Sequence, residues 1–199
     1  VLEILKKLPK SLTSLPQIQK MEQAIIALFN TNPSSKDPQA QLKSTLSLLE
    51  FFKLSGNRAY EASMLSQLGS IYSELNQASQ AISSHQQALD IYRSIGDRAG
   101  IGSALYSLGL TYTLSDQNDK AFQAFQASIP YAREVGDRNR ESKLVGNLGL
   151  LIRRQYPELA IAFYKQSVNL TESIRKELRV LSLEQQKSYQ QTVAANYRV

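Results

Sequence analysis

Few side chains in this 199-residue sequence are suited to catalysis. It contains no Cys and a single His, His85. A thiolate zinc site, a cysteine nucleophile and a His-rich metal site are therefore excluded within it, and a Ser-His-Asp triad is disfavoured. His85 could act as a lone metal ligand or acid–base group, but no other ligand is spaced to join it, so we expect a partly buried ring packed between helices. The sequence predicts a non-enzymatic protein that needs no cofactor or metal.

Recurrent glycines and arginines offer two further candidates for chemistry. No Gly-rich loop is followed by Lys-Ser or Lys-Thr, so phosphate binding is not indicated; we expect the glycines to mark close helix–helix approach. The arginines could form a ligand-binding ladder, but first-turn arginines more often pair with a neighbouring acid or stay solvated. The residues concerned are Gly69, Gly109 and Gly149, and Arg58, Arg98 and Arg138.

Charge is distributed unevenly over the net +6 of the chain. Residues 1–55 carry seven positive and four negative groups, residues 56–135 five and seven, and residues 136–199 eleven and six. The basic C-terminal third favours an acidic partner. Nucleic acid is the alternative, but the cations alternate with acids and no base-reading motif is present.

Membrane association is also not indicated. No stretch approaches the roughly 18 apolar residues that a membrane span requires. The cluster Lys6, Lys7 and Lys10 is weak evidence for contact with a membrane surface. We therefore expect a protein or peptide partner, no nucleic acid, no membrane, and a cytoplasmic location by default. The sequence lacks an initiating Met and resembles a piece of a longer protein; it predicts no oligomeric state.

A repeat of 40 residues organises the chain. Gly56-Asn57-Arg58 recurs as Gly96-Asp97-Arg98 and Gly136-Asp137-Arg138, and Leu-Gly pairs at 68–69, 108–109 and 148–149 follow the same period. Within the first repeat the apolar spacing predicts a helix over about 58–75 and a second over about 78–95. Gly suits the left-handed end of one helix, and Asn or Asp caps the next. Each repeat is thus a one-sided helical hairpin that must stack on its neighbours.

The repeat resembles the tetratricopeptide repeat. The family's positions appear in the first repeat as Leu68-Gly69, Tyr72, Ala81, His85 and Ala88. The longer repeat length is similar to that of kinesin light chains and related bacterial regulators. The resemblance implies an all-α, right-handed solenoid of antiparallel helix pairs. We expect N-terminal helices and a half-repeat over 1–55, three hairpins over 56–95, 96–135 and 136–181, and a truncated helix over 182–199.

The resemblance also implies a binding groove lined by the first helix of each hairpin. We expect small hydroxyl residues at one end, an apolar middle in which Tyr106 and Leu110 anchor a peptide, and a basic end that holds acidic groups. Asn147 occupies the position at which several family members bind a peptide backbone. The expected groove residues are Ser66, Ser70, Tyr106, Leu110, Lys143, Asn147, Leu150, Arg153 and Arg154.

The leading functional prediction is a protein-interaction module, and two alternatives stay open. The segment 178–189, together with residues 164–167 before it, is similar to the junction that precedes a caspase-like CHAT protease domain in bacterial proteins, which would make the chain a regulatory or substrate-recruiting arm. A sensor of a small ligand or signalling peptide is the other alternative. A merely solvated groove, or one occupied by other segments of the same protein, is also compatible with the sequence.

Overall fold

The computed structural model describes residues 37–180 together with Pro16, Lys20 and Gln23, and only the backbone of residues 178–180. This part of the chain contains seven α-helices and no strand. The truncated helix expected over 182–199 lies outside the described residues, and so does the expected N-terminal part before residue 37, apart from Pro16, Lys20 and Gln23, which are helical.

The chain divides into two compact halves, Val1–Gly96 and Asp97–Val199, so the division falls at a repeat boundary. In each half, successive helices pack against one another. The helices predicted at about 58–75 and 78–95 correspond to α2 and α3. The domain boundaries set out from the sequence stay a prediction. The helices are α1 (Pro38–Leu54), α2 (Arg58–Glu74) and α3 (Ala78–Ile95) in the first half, and α4 (Arg98–Leu114), α5 (Asn118–Glu134), α6 (Arg138–Ile152) and α7 (Pro157–Val180) in the second.

The joints between repeats have the capping geometry that the sequence predicts. Gly56, Gly96 and Gly136 adopt φ values of 70°, 73° and 70°, a left-handed conformation that glycine enters without steric cost. The next residue caps the following helix: Asp97 accepts a hydrogen bond from Gly100 N at 2.9 Å, and Asp137 accepts one from Arg140 N at 2.9 Å. Each joint therefore ends one helix and starts the next within three residues.

Inside each hairpin, a ring from the second helix lies on a glycine of the first. A Cβ added at Gly109 would stand 2.5 Å from the Phe125 ring, and one added at Gly149 would stand 3.1 Å from Tyr164. In the first repeat, the imidazole of His85 takes the place of the aromatic ring. A Cβ added at Gly69 would overlap the imidazole atoms. The prediction that these glycines permit close helix approach is confirmed.

The recurrent arginines, called the arginine column, form ion pairs, as the favoured interpretation predicts; they are Arg58, Arg98 and Arg138. Arg98 donates to both carboxylate oxygens of Glu134, with Nε–Oε1 at 3.1 Å and Nη2–Oε2 at 2.7 Å, and these hydrogen bonds hold the pKa of Glu134 below its usual range. Arg138 Nη1 pairs with one carboxylate oxygen of Glu177 near the end of α7, and its Nη2 donates to Ser173 Oγ. The first repeat has Ser94 where the second has Glu134, and Arg58 pairs instead with Glu61 on its own helix.

His85 is deeper in the fold than the partly buried ring that the sequence predicts. It is 2% exposed, and within the described residues its Nδ1 has no hydrogen-bond partner. Burial lowers the pKa of His85 from 6.5 to about 4, because the charged imidazolium would lose its hydration. The ring is therefore neutral at pH 7.

This burial makes the stability of the protein sensitive to acid. His85 is neutral in both folded and unfolded chains above pH 6.5, and as the pH falls from 6.5 towards 4 the unfolded chain takes up the proton first. We expect the free energy of unfolding to fall by about 3 kcal/mol over this range. His85→Phe copies the ring of the second repeat and should remove that part of the pH dependence. Urea denaturation of both proteins at pH 7 and pH 4.5 measures the difference, and equal pH dependence would contradict it.

Gly109→Ala tests the contact between ring and glycine. The new methyl group would overlap the buried Phe125 ring, so we expect the free energy of unfolding to fall by about 1–3 kcal/mol. Gly146→Ala is the control within α6: its Cβ meets only Ser167, whose nearest atom, Oγ, would stand at 3.3 Å, and a gain in helix propensity opposes that contact. Thermal denaturation should separate the two variants by several degrees, and equal melting temperatures would refute the assignment.

Candidate functional site

The predicted groove residues are shared between the two halves. Ser66 and Ser70 lie on α2 in the first half. The Ser66 hydroxyl oxygen is buried and has no hydrogen-bond partner among the described residues, whereas Ser70 is exposed and donates to the Ser66 carbonyl at 3.3 Å. Both side chains are small. The hydroxyl of Ser66 is buried, and that of Ser70 bonds to the backbone of its own helix. The other seven predicted residues lie in the second half.

In the second half, two helices present matching stripes of side chains. On α4 and α6 the residues follow one another at spacings of three or four, which places each set on one side of its helix. The two stripes together are called the α4–α6 face. Its members are Ser103, Tyr106, Leu110 and Leu114 from α4, and Arg140, Lys143, Asn147, Leu150 and Arg154 from α6 and the turn after it.

Two polar contacts join the stripes near the starts of both helices. Arg140 Nη1 donates to Ser103 Oγ at 2.8 Å, and the Asn147 side chain lies near enough to the Tyr106 phenol to lower the pKa of that phenol. The contacts occur in the same order along both helices, as two first helices of successive antiparallel hairpins require. Arg140 is 8% exposed, with Nε 3.5 Å from a carboxylate oxygen of Asp137. These contacts form a polar floor at one end of the face.

Arg140 is a residue of the face that the sequence did not predict. Its counterparts in the earlier repeats are Gly100 and Tyr60, so the position breaks the repeat pattern. It also stands seven residues, or two helical turns, before Asn147 and thus on the same stripe. A comparison of repeats for positions that gain a charge would have identified it.

Tyr106 belongs to the floor of the face. Its ring centroid lies 5.9 Å from that of Phe125, and it packs against the core formed by residues of α5 and α6. Burial raises the pKa of Tyr106, and the nearby Asn147 side chain and the charge of Arg140 oppose that rise. The side chain is thus half-buried, and its phenol lies beside Asn147.

The apolar part of the face lies one turn beyond the polar floor. Leu110 is 39% exposed and Leu150 is 40% exposed, and Leu114, a further turn along α4, is 73% exposed. All three leucines lie on the two adjacent stripes of the α4–α6 face. They form the surface at which the sequence predicts apolar contacts.

Basic side chains lie at both ends of the leucine surface. Lys143 is exposed near the start of α6, and Arg153 and Arg154 are exposed at its end. The one acid on α6, Glu141, is bonded to Arg133 at 2.6 Å. The α4–α6 face is therefore apolar in the middle and carries basic side chains at each end of α6.

The described residues contain no cluster of metal-binding side chains. No group of three or more His, Cys, Asp or Glu side chains within them could hold a metal ion. Among the same residues, no helix has the length and apolar character needed to cross a membrane.

The repeat geometry and the face together point to one family. Residues 60–134, from α2 to the last turn of α5, match the family model of the tetratricopeptide repeat. Residues 60–134 are thus a tetratricopeptide-repeat segment. The predicted fold class, an α-solenoid of antiparallel helix pairs, is confirmed.

Solved structures share the tetratricopeptide fold at low sequence identity. The chain is similar to BtubC (BKLC) from P. vanneervenii, with a TM-score of 0.57 and 16% identity over 76% of this chain and 72% of that one. It is similar to MamA, with a TM-score of 0.57 and 19% identity over 88% and 89%. It is also similar to a STAND signal-transduction ATPase with a tetratricopeptide repeat sensor from Pyrococcus horikoshii, with a TM-score of 0.58 and 15% identity over 98% and 32%.

These likenesses concern the fold. At such identities they carry no information about what this chain binds. No curated protein has significant sequence similarity to the chain.

The pair of Tyr106 and Asn147 can be tested by titration. The Asn147 side chain lowers the pKa of Tyr106 against the effect of burial, so Asn147→Leu should raise that pKa further. Carbon-13 NMR of labelled tyrosine measures the change, with Tyr106→Phe used to assign the resonance. Asn169→Leu, at an exposed position of α7, is the control and should leave the titration unchanged. An unchanged pKa in Asn147→Leu would show that the contact is absent in solution.

Proposed function

We propose that the chain is a non-enzymatic interaction module that binds an acidic segment of a partner protein on its α4–α6 face. The observation that carries the proposal is the exposure of Leu110 and Leu150 between cations at the two ends of α6, with Leu114 exposed one turn farther along α4. Exposed apolar side chains on matched stripes offer a contact surface, and burying them against a partner is favourable.

The charge of the face supports an acidic partner. Lys143, Arg153 and Arg154 flank the leucines, and guanidinium groups bind carboxylates through paired hydrogen bonds. Electrostatic attraction of this kind accelerates association and weakens as salt is added. We therefore expect binding that is tighter at low ionic strength. Ser66 and Ser70 remain predicted groove residues in the first half.

Two other functions stay proposals with less support. The protease-arm alternative depends on residues up to 189, of which those beyond 180 lie outside the described structure. A sensor role is supported only by fold, since one similar structure contains a tetratricopeptide repeat sensor. Neither accounts for the leucine surface with its two basic ends as directly as protein binding does.

Affinity capture from lysate of the source cells tests the binding face. We expect wild-type protein to retain a partner that Leu110→Glu and Arg153→Glu/Arg154→Glu lose by at least tenfold, because one change places a charge in the apolar surface and the other reverses the basic end. All the substituted residues are exposed, so the helices should persist. Circular dichroism checks that they do.

The matched control is Lys165→Glu/Lys176→Glu. It makes the same change in net charge on exposed residues of α7, outside the face. Capture of the partner should be unaffected by it. If all four proteins retain the same partners, the face is not the binding site; if the control loses them as well, only net charge matters.

A further inference from the structure

One side of α7 is exposed, although the equivalent side of α5 is covered. Phe125 on α5 and Tyr164 on α7 occupy equivalent positions, because each ring lies on the glycine of its first helix. Phe125 is 1% exposed and belongs to the core cluster that α5 forms with Leu144 and Leu148 of α6. Tyr164 is 36% exposed, and within the described part of the chain no helix follows α7. The two rings thus differ in whether a following first helix covers them.

The exposed side of α7 is an apolar stripe. Val168, one turn after Tyr164, is 57% exposed, and Ile161, one turn before it, is exposed as well. Spacings of three and four place these residues on one side of the helix. Their counterparts on α5, Phe122 and Ile129, pack against the core cluster. Ile161, Tyr164 and Val168 are called the outer stripe of α7, and by comparison with α5 this stripe has the composition of a buried surface.

The joint that would bring the next helix onto the outer stripe does not occur at its repeat position. Arg175-Lys176-Glu177 stands where Gly136-Asp137-Arg138 stands at the end of the second hairpin, and it lies within α7. As a result α7 has 24 residues, whereas the other second helices, α3 and α5, have 18 and 17. A segment that turns back along α7, as α6 turns back along α5, therefore starts after residue 180.

Residues 183–199 have the pattern that this place requires. Ser182-Leu183-Glu184-Gln185 has the form of a capping box, which predicts a helix that starts at residue 183. A helix over 183–199 would be as long as α2 and α4, which have 17 residues each. Tyr189, Val193 and Tyr197 follow one another at spacings of four, so such a helix would carry them on one side.

The lengths of the two helices set the alignment. Arg133, near the end of α5, pairs with Glu141, near the start of α6, which shows the antiparallel alignment of a second helix with the next first helix. Because both helices rise about 1.5 Å per residue, the same alignment would place residue 199 level with about residue 164. Val193 and Tyr197 would then lie on either side of the level of Val168.

We propose that residues 183–199 form a helix that folds back onto the outer stripe of α7, with Val193 and Tyr197 against Val168. Burial of Val168 and Tyr164 from water stabilises this arrangement. The outer stripe is then a docking surface for a segment of the same chain and not a site for another protein. This inference goes beyond the proposed function, whose face lies on α4 and α6, and does not depend on it.

Introduced cysteines test the proposal in the full chain, because the natural sequence contains no Cys. Val168→Cys is combined in turn with one cysteine at each position from 190 to 199, and each double variant is oxidised in dilute solution. A disulfide requires Cβ atoms about 3.5–4.5 Å apart. We therefore expect disulfides within one chain at positions three or four apart, and none at the positions between them. Mass spectrometry of the oxidised monomers identifies them.

Gln166 provides the matched control. It is exposed on α7 and lies nearly opposite Val168, since two residues turn a helix by about 200°. Gln166→Cys should form none of these disulfides. A second measurement uses no cysteine: Val168→Glu should lower the melting temperature by several degrees, because it buries a charge under the helix. Gln166→Glu should leave the melting temperature nearly unchanged.

Each contrary result overturns the proposal. Disulfides between two chains would show that a second copy covers the outer stripe. A scan that yields no disulfide within one chain, or yields the same ones from Val168→Cys and Gln166→Cys, would show that residues 183–199 do not dock there. A melting temperature unaffected by Val168→Glu would show that the stripe stays open. The capture experiment on the α4–α6 face can succeed or fail independently of all these results.

Discussion

The distance between the two helices of each hairpin is the constraint on which the rest of the fold depends. It is set where a ring of the second helix lies on a glycine of the first, at Phe125 on Gly109 and at Tyr164 on Gly149. A glycine inside a helix costs about 1 kcal/mol relative to alanine. Close packing of the ring offsets that cost, since a buried aromatic ring contributes a large apolar surface. Small residues such as Ala121 can then lie fully buried at the crossing.

The start of each hairpin depends on the joint before it. At Gly96-Asp97 and again at Gly136-Asp137, a left-handed glycine ends one helix and an aspartate caps the next. Because both joints have the same geometry, α4 and α6 begin in equivalent ways and place their stripes side by side. The α4–α6 face is thus a consequence of repeated local geometry, and the particular side chains on the stripes decide what it can bind.

Most of the fold could be predicted because it depends on local signals that recur. The period of 40 residues, the capping residues, the glycines and the paired arginines are all visible in the sequence, and the structure confirms each. The exposed positions of Leu110, Leu150, Arg153 and Arg154 also follow from helical spacing. The near-complete burial of His85 could not be predicted from helical spacing, because the space above Gly69 depends on how closely the two helices approach each other.

The polar floor could not be predicted for a different reason. The contact of Ser103 with Arg140 joins residues 37 positions apart, and that of Tyr106 with Asn147 joins residues 41 apart. Neither separation equals the repeat period, so comparing equivalent positions does not pair them. Which side chains meet across two helices depends on side-chain length and direction as well as on register.

The ion pairs of the arginine column have a consequence for how such chains change in evolution. Arg98 and Glu134 both lie within residues 96–135, and Arg58 and Glu61 both lie within residues 56–95. A gene duplication or deletion with its endpoints in the Gly-Asp-Arg segments would move each of these arginines together with its glutamate. The array can therefore lengthen or shorten by whole hairpins through recombination without separating the two charges of a pair.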